Sequence, residues 1–250
     1  MRLLVAIHRW WGIAFCLLFA MWFASGIVMH FVPFPARHEQ PMPAGMDMSR
    51  ATTDQIDYDQ WSVAGDFNAD RPLNRTALND GAGTEIYLSA TSGNVVLTTT
   101  RNERLLNYPG SIAHWLYPTE LRRHAKAWSS LMWWLSLLAT IGAALGACLG
   151  LVRLSTGPAY RGLQRWHHIC GLIAAPFLLC WIFSGFLSMN DGLFTGSDEV
   201  FRAMHKLDFE PLASHPSMRT SAIIVLCLFG FAFSLTGAVL AWRRVTSKIV

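Results

Sequence analysis

The stretch HRWWGIAFCLLFAMWFASG, residues 8–26, returns later in the chain as HHICGLIAAPFLLCWIFSG, residues 167–185. At an offset of 159, His8, Gly12, Trp22, Ser25 and Gly26 match His167, Gly171, Trp181, Ser184 and Gly185. A second repeat lies between and beyond these: at an offset of 91, His114, Leu116, Leu121 and His124 match His205, Leu207, Leu212 and His215. A duplicated pair of apolar helices implies two halves related by an axis along the membrane normal, with equivalent histidines facing one another across it. The expected fold is therefore mainly α: a four-helix transmembrane bundle of two tandem helix pairs, with a small, partly β insertion.

Composition agrees. Hydrophobic residues make up 52% of the 250, too many for an ordinary soluble domain of this length. Four stretches, 10–32, 128–152, 169–189 and 220–242, hold no Asp, Glu, Lys or Arg. Each is long enough to cross a hydrocarbon core of about 30 Å at about 1.5 Å per residue. The chain thus divides into a first span over 1–32, a polar segment over 33–127, a second span over 128–152 and a loop over 153–168. A third span over 169–189, a loop over 190–219 and a last span with its tail over 220–250 follow. The first apolar run exceeds the 7–15 residues of a signal-peptide core, so it reads as a retained anchor.

Charge sets the expected orientation. Arg2, Arg9, Arg153, Arg161, Arg165, Arg243, Arg244 and Lys248 lie at the N-terminal tip, in the 153–168 loop and in the tail, with no acidic residue among them. By the positive-inside rule those segments, and both termini with them, are cytoplasmic. All 16 acidic residues fall in 33–127 and 190–219. The formal charge of +4 is then an orientation signal, and it gives nucleic-acid binding no support.

After the first span, Pro33, Pro35, Pro41 and Pro43 rule out a continuing helix. Further on, two β-rich runs flank a Ser-Gly-Asn turn between Glu85 and Leu97, which reads as a hairpin. Residues 111–127 read as a surface helix leading into the second span, and 200–218 repeat that lead-in. Cys16, Cys148, Cys170, Cys180 and Cys227 sit in or beside spans, so no disulfide framework is expected in the loops. No C-x-x-C-H attaches a haem covalently, and no G-x-G-x-x-G marks a nicotinamide or flavin domain.

The histidines carry the chemistry. His8 and His30 are 22 residues apart, about 33 Å of rise and only about 40° of rotation on one helix, which puts them on one face at opposite membrane edges. An isolated imidazole at either edge is satisfied by the headgroup region alone. The repeat of His8 as His167 favours a bundle-facing role for that pair, because intramembrane ionisable groups usually line an interior. His168 is the rival one residue on, about 100° away. His30 has Met189 as its counterpart, while His114 with His205 and His124 with His215 could bracket a second site on the outer side. Two facing imidazoles can hold one haem iron. A bare zinc or copper site is the weaker reading, since neither H-x-x-x-H nor H-E-x-x-H occurs.

His8-Arg-Trp-Trp-Gly12, Ser25-Gly26, Ala113-His114-Trp-Leu116, His167-x-x-x-Gly171 and Met204-His205-Lys-Leu207, in this order, resemble the PepSY-associated transmembrane family. The strand-turn-strand of Glu85 to Leu97 looks like part of a PepSY domain. The resemblance implies an inner-membrane protein, similar to ferric-siderophore reductases that hold b-type haem between their spans. It implies two haems, with His8 and His167 at the inner positions and His114 and His205 at the outer ones.

The expected function is electron transfer from quinol or a separate reductase, through haem b, to ferric iron in a chelate or siderophore on the periplasmic side. The alternative is a non-enzymatic, membrane-anchored PepSY module that binds or senses a partner.

Overall fold

The computed structural model describes residues 1–156, 160–189 and 198–246; Lys248 and parts of the loops over 153–168 and 190–219 lie outside the described residues. The chain forms two compact units: Met1–Ile27 with Ser130–Val250, and Val28–Ser129.

In the helical unit and running out of it, four helices are long and apolar enough to cross a membrane: α1 (Arg2–Phe31), α4 (Ala125–Thr156), α5 (Gly162–Ser188) and α7 (Pro216–Thr246). In lipid every backbone polar group must bond within its own helix, which is why uninterrupted apolar runs take this form. α1 stops at Phe31, just ahead of Pro33 and Pro35. Leu17, Ile173 and Val225 are 66%, 61% and 63% exposed, as side chains facing lipid are. α6 (Asp198–Lys206) precedes α7.

Apolar burial does not draw helices together inside a bilayer, because the tails are as apolar as leucine; close packing does. The core takes Phe15 and Phe23 from α1, Ala139 from α4, Leu178 and Ile182 from α5, and Ile223 and Cys227 from α7. Gly230 is needed against Phe23, whose ring occupies the space of a β-carbon there. Ser25, Ser184 and Ser234 are buried and turn their hydroxyls back onto carbonyls three or four residues earlier.

The sheet unit is an antiparallel meander of β1 (Thr52–Ile56), β2 (Leu73–Ala77), β3 (Glu85–Ser89) and β4 (Val95–Thr99), in the order β1-β2-β3-β4. The expected hairpin is β3–β4, with Gly93 at φ +73° in its turn. β1 and β2 were not legible, since TTDQI and LNRTA carry few apolar residues and the exposed edge strand has no buried face to pattern it. Trp61, Phe67, Leu73, Tyr87, Val96 and Leu97 form the core of this unit. α2 (Arg101–Asn107) follows β4 with a capping box between Thr100 and Glu103.

The lead-in expected as one helix over 111–127 is broken. A π-turn at Tyr108–Ile112 is followed by Leu116 at φ +46°, then α3 (Thr119–Arg122). Pro118 removes a donor that a continuous helix over 111–127 requires. The same break recurs 91 residues on. Leu207 has φ +50°; Leu116 and Leu207 donate to Ala113 O and Met204 O at 3.3 Å each. Tyr117 and Asp208 donate to Ile112 O and Ala203 O at 2.9 and 2.8 Å, and His124 and His215 to Leu121 O and Leu212 O at 3.2 and 3.1 Å. A left-handed leucine costs about 1–2 kcal/mol and persists only where its surroundings dictate it. Leu207 is held this way by packing against the helical core.

In the sheet unit Arg37 grips Asp70 through Nε and Nη2 at 2.8 and 3.3 Å, and the Asp70 side chain is only 6% exposed. The Arg37 guanidinium holds the Asp70 carboxyl below the usual carboxylate range. A carboxyl depressed on folding stabilises the fold above its unfolded value, and that contribution is lost as pH falls through the lower folded value. Arg37→Ala is expected to cost about 1–3 kcal/mol at neutral pH. It should be read as lost amide protection at Ala90, whose N–H bonds Asp70 O and Pro72 O. The gap from wild type should narrow as pH drops below the carboxylate range. Unchanged protection would show that the pair does not support the sheet.

Candidate functional site

A cavity of about 760 Å³ opens at one end of the helical unit, walled by α1, α4, α5 and α7. That lies within the range of about 300–1,000 Å³ typical of small-molecule and cofactor pockets. His8 of α1 and His167 and His168 of α5 all line it. The first repeat therefore brings its two equivalent histidines into one space.

Each histidine is placed by a specific neighbour. His8 lies over Gly146 of α4: a β-carbon there would meet His8 Cε1 at 2.5 Å. His167 lies over Gly237 of α7, where a β-carbon would stand 3.4 Å from its Cε1. Gly146 and Gly237 are themselves 91 residues apart, so each half sets its histidine on a glycine of its own second helix. Trp11, one turn beyond His8, lies over Gly142 and donates its indole N–H to Leu138 O at 2.8 Å. The glycine ladder of α4 is thus a seat for the aromatic rings of α1.

Hydrogen bonding fixes the tautomers. The Thr236 hydroxyl donates to Phe233 O at 2.6 Å, so its oxygen accepts from His167 Nδ1–H at 2.8 Å. The lone pair of His167 is then on Nε2, the arrangement a metal-binding imidazole with an orienting partner requires. Phe233 stacks on His167 with centroids 4.8 Å apart, and it has room to do so because Gly171 carries no side chain. His168 Nε2–H donates to Gly150 O at 2.8 Å and its ring meets the edge of Tyr160, which leaves its lone pair on Nδ1. His8 Nδ1 is buried without a hydrogen-bond partner.

The walls are largely apolar, with Trp11, Phe15, Phe19 and Leu178, while Arg9, Arg153, Arg161, Arg243 and Arg244 line the same cavity. No carboxylate stands among the described residues that line it, so the cavity suits an anionic occupant with an apolar body. Among the described residues no group of three or more His, Cys, Asp or Glu converges as a bare metal ion needs. Two imidazoles suit a metal that brings its other ligands with it.

The remaining histidines are more scattered. His205 on α6 belongs to the helical unit; it donates Nδ1–H to Trp181 O at 2.9 Å and lies over Gly185, whose β-carbon would meet its Cε1 at 3.0 Å. Burial lowers its basicity and favours the neutral ring. His114 belongs to the sheet unit, just before the left-handed Leu116. His30, near the end of α1, meets Phe31 edge to face. His124 is exposed and accepts from Arg123 Nε at 3.1 Å, and His215 is exposed with Nδ1 3.0 Å from Pro211 O. The residues that sequence reasoning missed are Gly237, Thr236 and Phe233, whereas Gly146 stands in the G-x-x-x-G-x-x-x-G run of Gly142, Gly146 and Gly150, whose spacing already permits close helix approach. Of those missed only Gly237 left a signal, as the match of Gly146 at the offset of 91.

Comparison with known proteins gives a single result: the family model described as the PepSY-associated TM region matches residues 5–223. Neither curated proteins nor solved structures gave a match.

Proposed function

The chain belongs to the PepSY-associated transmembrane family, and on that premise we propose that it carries electrons across a bacterial inner membrane through b-type haem to ferric iron in a chelate or siderophore. The observation that carries this reading is the pair of repeat-equivalent histidines, His8 and His167, lining one cavity, each over a glycine of its own helix pair.

The residues fit the group. His167 has its lone pair on Nε2, His8 has an unpartnered buried nitrogen, and five arginines answer the two carboxylates that a haem carries. Haem held by His8 and His167 would supply one-electron transfer. The chain's own residues do the positioning. Thr236 holds the His167 ring in one orientation and tautomer, the aromatic walls would shield the bound group from water, and the arginines would pair with its acid groups.

A second haem is proposed with His205 of the helical unit as a ligand. His205 supports it, since its ring is buried, its tautomer is fixed and it lies over a glycine as His8 and His167 do. The charge distribution supports cytoplasmic termini and a periplasmic sheet unit. Electrons would enter from quinol or a separate reductase, and each ferric ion leaves having gained one.

The test is a visible spectrum of the detergent-purified protein from haem-replete cells, followed by mixing of the reduced protein with ferric citrate in sealed vesicles. The expected result is a low-spin b-type spectrum, acid-acetone extractable haem, and reoxidation only where the sheet unit faces the chelate. A colourless protein would favour the membrane-anchored sensing module instead.

A further inference from the structure

A second pocket, of about 350 Å³, lies wholly within the sheet unit. Arg71, Arg122, Arg123 and His124 line it, together with Tyr58 and Ala125, the first residue of α4. Three guanidinium groups and an imidazole around one small concavity need an explanation, because like charges repel unless an anion sits among them. Their carboxylate partners do not supply it. Among the described residues only Arg123 has one, Glu120 at 3.2 Å, and that side chain is 77% exposed. Asp66, beside Gly65 of the pocket, is exposed and makes no ion pair among the described residues.

The arginines are held in place by other means. Arg122 rests against two aromatic rings, its guanidinium carbon 4.6 Å from the Trp128 ring and 5.2 Å from that of Tyr117. Trp128 is fixed in turn by its indole N–H to Trp115 O at 2.9 Å. Arg71 donates Nη2 to Ser62 O and Ala64 O at 2.9 and 3.2 Å, and Arg123 donates Nη1 to Tyr58 Oη at 3.1 Å. The Nε groups of Arg71 and Arg122 are both buried without any partner. A buried guanidinium donor left unpaired costs more than the ordinary hydrogen bond it lacks, and two in one pocket point to an acceptor that completes them.

Position selects the chemistry. α4 has 32 residues, about 48 Å, against a hydrocarbon core of about 30 Å, so its first turn at Ala125 falls at headgroup depth. The surrounding Trp115, Tyr117 and Trp128 are the residues that mark that level. Phosphate is the abundant oxyanion there, and the arginine fork matches its geometry. The site is also private to one half, since the positions equivalent to Arg122 and Arg123 at the offset of 91 are Ala213 and Ser214. It is therefore no by-product of the duplication.

We propose that the pocket walled by Arg71, Arg122, Arg123 and His124 binds a phosphate group, from a phospholipid headgroup or from a soluble phosphate. This does not depend on what the helical cavity holds. The test is calorimetric titration of the full chain in dodecyl maltoside with dihexanoylphosphatidylglycerol and, separately, with inorganic phosphate. Arg122→Gln and Arg123→Gln should each weaken binding about tenfold or more, the loss expected for a charged hydrogen bond. Arg101→Gln, exposed and outside the pocket, should bind as wild type does. Arg123 is itself exposed, so its replacement keeps the fold even where that of Arg122 does not. Binding of the lipid alone identifies the headgroup, and binding of inorganic phosphate identifies a soluble source. If neither probe binds, if either pocket variant binds as wild type does, or if Arg101→Gln weakens binding equally, the proposal is overturned.

Discussion

Replacing either His8 or His167 by alanine is expected to remove one and the same low-spin haem band, whereas His168→Ala leaves most of it. The contrast follows from hydrogen bonding. His167 Nδ1–H donates to Thr236 and leaves the lone pair on Nε2, at the far tip of the ring, whereas His168 Nε2–H donates to Gly150 O and leaves only Nδ1, the nitrogen beside its own Cβ. Thr236→Val keeps the shape and removes the acceptor, and it should weaken haem retention by about 10–100-fold, as loss of an orienting partner does. The measurement is the haemochrome absorbance per protein for each variant. Retention in His167→Ala with loss in His168→Ala would assign the ligand to the neighbour instead.

One methyl group should be enough to disturb the same site from the other helix. A β-carbon at Gly146 would stand 2.5 Å from His8 Cε1, a separation that forces the ring or the helix to move. At Gly237 the corresponding distance to His167 is 3.4 Å, close to ordinary contact. Gly146→Ala is therefore expected to cost about 1–3 kcal/mol through overpacking and to lower haem content markedly. Gly237→Ala, at the equivalent point of the other half, should change little. Equal effects of the two substitutions on thermal stability and haem content would mean that the close fit of His8 on α4 is not what sets the site.

How much of this the sequence discloses depends on what each residue answers to. The four spans are legible because lipid dictates composition, and the convergence of His8 and His167 is legible because duplication writes the same residue twice. β1 and β2 are hidden, since an exposed strand such as TTDQI is held by its partner's backbone and not by an apolar face. Leu116 and Leu207 were visible as matching letters, but nothing in a leucine announces a positive φ. Thr236 is hidden for another reason: its role rests on a hydroxyl meeting a ring 69 residues away, which no local pattern encodes.

The glycine ladder on α4 leaves a choice open that Trp11 closes. Gly142 and Gly146 are four residues apart, about 6 Å along the axis, so sterically they are two interchangeable berths for a ring of α1, while Gly150 is covered by Leu172 and His168 of α5. A helix sliding by one such step would still find a glycine under His8. The indole does not share that freedom. Because Gly142 has no side chain to cover the preceding turn, Leu138 O stands open, and the Trp11 N–H locks onto it. Shape alone makes α1 and α4 a rack and pinion with two settings; a single directional bond selects the tooth, and with it the depth at which His8 stands in the membrane.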